Sequence, residues 1–174
     1  MASEFAVKSD CAEIEIRLSC SSDEALFMEM RLECLRDVYG FPENFRFDAD
    51  LVAKSKEYFL CGDHATVFAL DGNGKCAGVA SLCFIDVMPT FEHPAGKRAH
   101  LMNVYVRAEA RRRGIGKKMV ARLIEEARAR GATEITLDVT EEGRFLYESL
   151  GIAENKDAMP LSLRWIRRKN EKAV

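Results

Sequence analysis

Apolar positions recur along this chain with two different spacings, and the switches between them divide it into elements. Ile14-Glu-Ile-Arg-Leu18 alternates, which predicts a half-buried strand. Ser21-x-x-Glu24 reads as a capping box that opens a helix, with Leu26, Phe27, Met30, Cys34, Leu35 and Val38 on its apolar face and Gly40 at its stop. Phe41 to Phe47 is a loop; Asp48 caps a second helix to about Phe59, with Leu51, Val52, Tyr58 and Phe59 apolar. Two strands, Thr66–Leu70 and Lys75–Val87, flank Asp71-Gly-Asn-Gly74, a strong hairpin signal, and Gly78 marks a bulge in the longer one. Met88 to Lys97 carries Pro89, Pro94 and Gly96, so it is a loop.

A strand over 98–106 then gives way to helical spacing. Ile115, Met119, Val120, Leu123, Ile124 and Ala127 share one face, with Lys118, Arg122, Glu125 and Glu126 opposite and Gly131 at the stop. Ile135, Leu137 and Val139 form the next strand, a helix over 142–150 ends at Gly151, and Met159 to Trp165 alternates as a last strand before a charged tail. Strand, helix and strand in succession make a right-handed βαβ unit with parallel pairing. The whole reads as one domain over residues 1–174. It is a mixed α/β fold whose sheet is mostly antiparallel, with one βαβ unit and helices on both faces.

Composition narrows the function. An apolar content of 48% suits a packed core, and a net charge of −2 argues against a surface built for nucleic acid. No apolar run reaches the roughly 20 residues of a membrane helix. Glu4, Lys8, Asp10 and Glu13 interrupt the N-terminus, so it does not read as a signal peptide and the cytoplasm is expected. The six cysteines form no C-x-x-C and the three histidines are scattered, so neither a metal site nor a disulfide framework is expected.

The chemistry concentrates in one turn. Arg111-Arg112-Arg113-Gly114-Ile115-Gly116-Lys117 joins the central strand to the amphipathic helix. The first N–H groups of a helix lack intrahelical partners, and its dipole is positive there. Glycines let backbone approach an anion, and Arg111, Arg112, Arg113, Lys117 and Lys118 add charge that suits phosphate, so the turn reads as a phosphate cradle. It is neither G-x-G-x-x-G, since residue 119 is Met, nor a P-loop.

Val104-Tyr105-Val106, four residues, then Arg111-x-x-Gly114-x-Gly116 resembles the acetyl-CoA motif of the GNAT N-acetyltransferase superfamily, [Q/R]-x-x-G-x-[G/A] after a strand ending in Val. Leu146-Tyr147-Glu148-Ser149-Leu150-Gly151-Ile152 is similar to the family's "LYexLGF" helix end, with Ile152 in place of Phe. The resemblance implies that the two parallel strands splay and admit the cofactor's pantetheine arm. Backbone of Val104, Tyr105 and Val106 would pair with that arm, and backbone of Arg112 to Lys117 would hold the pyrophosphate. It further implies direct acetyl transfer from acetyl-CoA to a primary amine; a homodimer is compatible with it. The loop over 88–97 favours a small-molecule acceptor, and composition argues against metal, nucleic acid or membrane. Protein N-termini, lysines, or a sensor role without turnover remain alternatives.

Three needs follow: a proton removed from the amine, donors for the oxyanion, and a proton for the leaving thiolate. By resemblance Tyr147 serves the last. By the same resemblance His100, six residues before Val106 where family members carry a Glu or His base, is the candidate base, ahead of Asp86, Glu92, His93 and Asp138. The first two helices would line the acceptor site, although Glu29, Glu33 and Lys56 read as ordinary solvent-facing charge. The loop over 88–97, with Phe91, Glu92 and His93, is a further place to meet a substrate.

Overall fold

A computed structural model describes residues 14–153. In chain order it has β1 (Glu15–Leu18), α1 (Glu24–Tyr39), α2 (Ala49–Cys61), β2 (His64–Leu70), β3 (Cys76–Asp86), β4 (Lys97–Val106), α3 (Ile115–Ala129), β5 (Ile135–Leu137) and α4 (Arg144–Glu148). The expected strand over 159–165 and the tail lie outside the described residues. The sheet runs β1-β2-β3-β4-β5; β4 and β5 are parallel, and every other neighbouring pair is antiparallel.

Alternation along the strands builds a core on each face. Val67, Ala69, Ala80, Leu82, Ala99 and Leu101 pack against Ile115, Met119, Leu123 and Ala127 of α3. On the opposite face Phe68 and Val79 meet Phe27 and Met30 of α1 and Phe59 of α2. A hydrophobic face on each side of one sheet needs a helix layer on each side.

Two irregularities shape the sheet. Ala69 pairs with Gly78 but Leu70 with Cys76, so Ala77 is extra and the bulge expected at Gly78 is present. A second bulge lies in β4: Val79 pairs with Tyr105 but Ser81 with Met102, and Asn103 takes a left-handed φ of +56°.

Local details depart from expectation. Residues 21–23 form a 3-10 turn, and Glu24 begins the helix. Asp23, held by Arg17, accepts the Cys20 N–H at 2.8 Å, whereas Glu24 turns to Lys56, so the Ser21–Glu24 box does not form. Met28 is buried while Val38 is 54% exposed, the buried positions of α1 ending at Cys34. β5 stops at Leu137 and leaves Val139 exposed. The last helix is shorter than expected; Thr140 caps a 3-10 turn ahead of it by accepting from the Gly143 N–H.

Candidate active site

The site begins where the sheet splits. β5 pairs with β4 only at Ala99–Ile135, His100–Thr136 and Leu101–Leu137. Beyond Leu101 the outer edge of β4 has no strand beside it among the described residues. The Arg107 N–H donates to Ala77 O at 2.9 Å, so residue 107 is turned towards β3. Alternation then points the amide of Val106 away from β3, onto the open edge.

That edge runs into the glycine turn. Arg112 (φ +61°) and Gly114 (φ +74°) are both left-handed, and the curl orients successive N–H groups alike. Ala110 and Ile115, both buried, anchor the turn in the α3 core. Gly114 is the N-cap of α3, and no side chain caps that end. The free helix end that the sequence implies is therefore exposed to an anion.

The two glycines serve different ends. A Cβ on Gly114 would meet nothing within 4 Å, so its glycine answers to conformation. A Cβ on Gly116 would lie 3.3 Å from Leu146 Cδ2, so that glycine admits α4. Lys117 Nζ donates to Ser149 O at 3.1 Å and ties the same helix down. Arg111 does not turn its side chain to the cradle: it bonds Val106 O and Asp37, and its guanidinium lies over Tyr105. The side-chain charge of Arg111 is therefore spent on α1 and the end of β4.

Tyr147 comes from α4 and packs partly buried against the α3 core. Burial, with a smaller contribution from the Cys34 thiol of α1, raises its hydroxyl above the ordinary tyrosine range.

On the α1/α2 face a cleft of about 760 Å³ meets the split at Asn103. Its floor is Thr66, Ser81, Cys83, Met102 and Asn103; its walls include Arg31 of α1 and Leu51, Lys54 and Tyr58 of α2. Leu51 and Tyr58, apolar positions of α2, are about two-fifths exposed because they face this cleft. Asn103 accepts from Arg31 at 3.2 Å through Oδ1, while its buried Nδ2 has no partner among the described residues. A buried unpaired donor at a cleft is a position for a ligand oxygen.

Of the candidate bases, His100 is not among the cleft's lining residues. Its Nδ1 is 3.0 Å from Thr136 Oγ1 and its Nε2 3.9 Å from Asp138. His93 is bound to Thr133, Phe91 is fully exposed, and the loop over 88–97 contributes nothing to the cleft. Glu29 and Glu33 are not idle surface charge: both bind Arg107, clamping α1 to the end of β4. Sequence reading missed Arg31, Asn103, His64, Thr66 and Ser81. Only the polar residues inside otherwise apolar strands signalled the last two.

A split mixed sheet with a glycine turn at the helix end defines a class, and the chain belongs to it: residues 26–152 match the acetyltransferase (GNAT) family. It is 33% identical over 103 residues to glucosamine 6-phosphate N-acetyltransferase 1 of Oryza sativa subsp. japonica, covering 59% of this chain and 61% of that protein. It is 26% identical over 155 residues to the glucosamine 6-phosphate N-acetyltransferase of Trypanosoma brucei brucei, covering 89% and 99%. The chain spans about three-fifths of the length of the two Oryza sativa relatives it matches. Among solved structures it resembles a predicted acetyltransferase with acetyl-CoA from Clostridium acetobutylicum (TM-score 0.74, 25% identity, 88% and 98% covered). It shares its fold with glucosamine-6-phosphate N-acetyltransferase from Arabidopsis thaliana (TM-score 0.62, 23% identity, 87% and 99% covered).

Proposed function

We propose that this protein transfers the acetyl group of acetyl-CoA to a primary amine of a small molecule bound in the cleft between α1, α2 and the sheet. The observation that carries the reading is the open edge of β4 from Met102 to Val106, which ends on the uncapped N-terminus of α3 and borders the cleft at Asn103. Acetyl-CoA binds as co-substrate. Backbone of Val104 to Val106 pairs with its arm as an added strand would, and backbone of Arg112 to Lys117 holds the diphosphate. The amine attacks the thioester carbon, outer-edge amides stabilise the oxyanion, and Tyr147 gives a proton to the departing sulfur. The raised Tyr147 hydroxyl keeps that proton available through neutral pH.

The cleft suits an acceptor rich in oxygen atoms. Arg31, Lys54 and the unpaired Asn103 Nδ2 are donors, while Leu51 and Tyr58 supply apolar contact. Its relatives' substrates make an amino-sugar phosphate the first acceptor to test. The reading puts the reaction in the cytoplasm, with no metal, nucleic acid or membrane taking part.

The test is CoA release across a panel of amines, with mass spectrometry of the product. An N-acetylated amine with stoichiometric CoA is expected. Acetyl-CoA binding with no turnover on any small amine, and acetylation of protein lysines or N-termini instead, would refute the small-molecule assignment.

A further inference from the structure

We propose that Ser81, Thr66 and His64 form a proton relay that draws the proton of the acceptor ammonium out of the cleft. The proposal rests on the acetyl-transfer reading above and supplies its missing base.

The three side chains stand on one face of the sheet, on adjacent strands. Thr66 pairs with Ser81 across β2 and β3, and Ser81 pairs with Met102 on β4. All three line the cleft. His64 Nε2 is 2.8 Å from Phe59 O, and His64 Nδ1 is 3.1 Å from Thr66 Oγ1. Thr66 Oγ1 is 2.8 Å from Ser81 Oγ. Thr66 and Ser81 are 1% and 6% exposed, so each hydroxyl depends on these partners.

Chemistry assigns the direction. A carbonyl oxygen only accepts, so Nε2 carries a proton and, in the neutral ring, Nδ1 is bare. Thr66 must then donate to Nδ1, and Ser81 must donate to Thr66. The Ser81 oxygen is left to accept from a donor in the cleft. Every bond points the same way, from the cleft to the imidazole.

The proton balance closes. Overall an ammonium and acetyl-CoA give an amide, CoA thiol and one released proton. The ammonium N–H passes its proton to Ser81 Oγ, Ser81 passes its own to Thr66, and Thr66 passes its own to His64 Nδ1. The freed amine forms the C–N bond as the C–S bond breaks; Tyr147 protonates the departing sulfur, and the second proton leaving the nitrogen restores the Tyr147 hydroxyl. The imidazolium has both N–H groups satisfied, by Phe59 O and by Thr66. His64 also borders a second opening, lined by Ser19 and Arg130, where the ring returns the proton to water.

Groups facing His64 are Tyr58 and Phe59 of α2, with ring centroids 5.8 and 5.3 Å away, and Cys83 across on β3. Arg130, the C-cap of α3, binds its carbonyl oxygen and pairs with the adjacent Asp63.

The experiment compares Thr66→Val, which keeps shape and removes the link, with Thr66→Ser, which keeps the link. Thr66→Val is expected to lower kcat/KM for the amine on the order of a hundredfold near neutral pH. The deficit should shrink as the pH approaches the amine's own pKa. Thr66→Ser should stay within a few-fold of the parent, and acetyl-CoA Kd should be unchanged in both. Nitrogen-15 NMR should show neutral His64 protonated at Nε2. Equal pH profiles for Thr66→Val and the parent, a pH-dependent loss in His100→Ala instead, or a proton on Nδ1 would overturn the relay while leaving acetyl transfer standing. Absence of turnover by the parent on every amine would refute the acetyl-transfer reading and the relay with it.

Discussion

Replacing Gly114 and Gly116 by alanine one at a time should separate conformation from contact. At Gly114 a Cβ meets nothing within 4 Å, so the whole penalty is the left-handed φ of +74°, about 1–2 kcal/mol for a residue with a Cβ. That penalty has two places to appear. If the turn keeps its shape, the folded state carries it and Tm falls by about 4 °C, at roughly 2–4 °C per kcal/mol for a chain of this size. If the turn relaxes when empty, Tm holds and the acetyl-CoA Kd rises about tenfold, because binding must restore the shape. Gly116 is ordinary helix, where alanine gains up to about 1 kcal/mol. Its Cβ would press Leu146 Cδ2 at 3.3 Å, the end of a side chain able to give way, so the two effects nearly cancel. Thermal melts and isothermal titration with acetyl-CoA on both variants are the assays. If Gly114→Ala matches the parent in Tm and Kd, or if Gly116→Ala is the more damaged of the two, the reasoning about the cradle is wrong.

Tyr147→Phe should lower kcat about tenfold or more with acetyl-CoA Kd unchanged; an unaltered kcat removes Tyr147 from thiolate protonation. The parent's kcat should show no basic limb from Tyr147 below the ordinary tyrosine range, since its folded hydroxyl is raised. Arg107→Ala strands Glu29, Glu33 and the Cys76 carbonyl, and should cost about 2 kcal/mol by thermal melt. Arg107→Lys should recover only part of that, because an ammonium lacks the planar fork. Arg17 holds the Asp23 carboxyl far below the usual carboxylate range through two bonds of 2.8 Å. A depressed folded pKa stabilises above the unfolded value of about 3.9 and is lost as pH falls. The Tm gap between the parent and Arg17→Leu should therefore be full at neutral pH and narrow below about pH 4.

Local pattern determined much of this protein. Alternation in residues 14–18 and 98–106, helical spacing from Ile115 to Ala127, and the turn at Asp71–Gly74 made the element order legible, because neighbours in sequence set those periods. The glycine turn ahead of α3 was legible for the same reason: strand, turn and helix lie within twenty-odd residues. What depends on groups far apart in sequence was not. Arg111 reads as phosphate charge until Asp37 and Val106 O are placed beside it, and Glu29 and Glu33 read as solvent until Arg107 meets them. Gly116 serves α4 only because Leu146, thirty residues on, packs there. The bulge at Asn103 and the row from His64 through Thr66 to Ser81 exist through cross-strand register alone. Tertiary structure decided these, because a buried donor takes whichever acceptor the sheet brings within reach, and one sequence carries no measure of that distance.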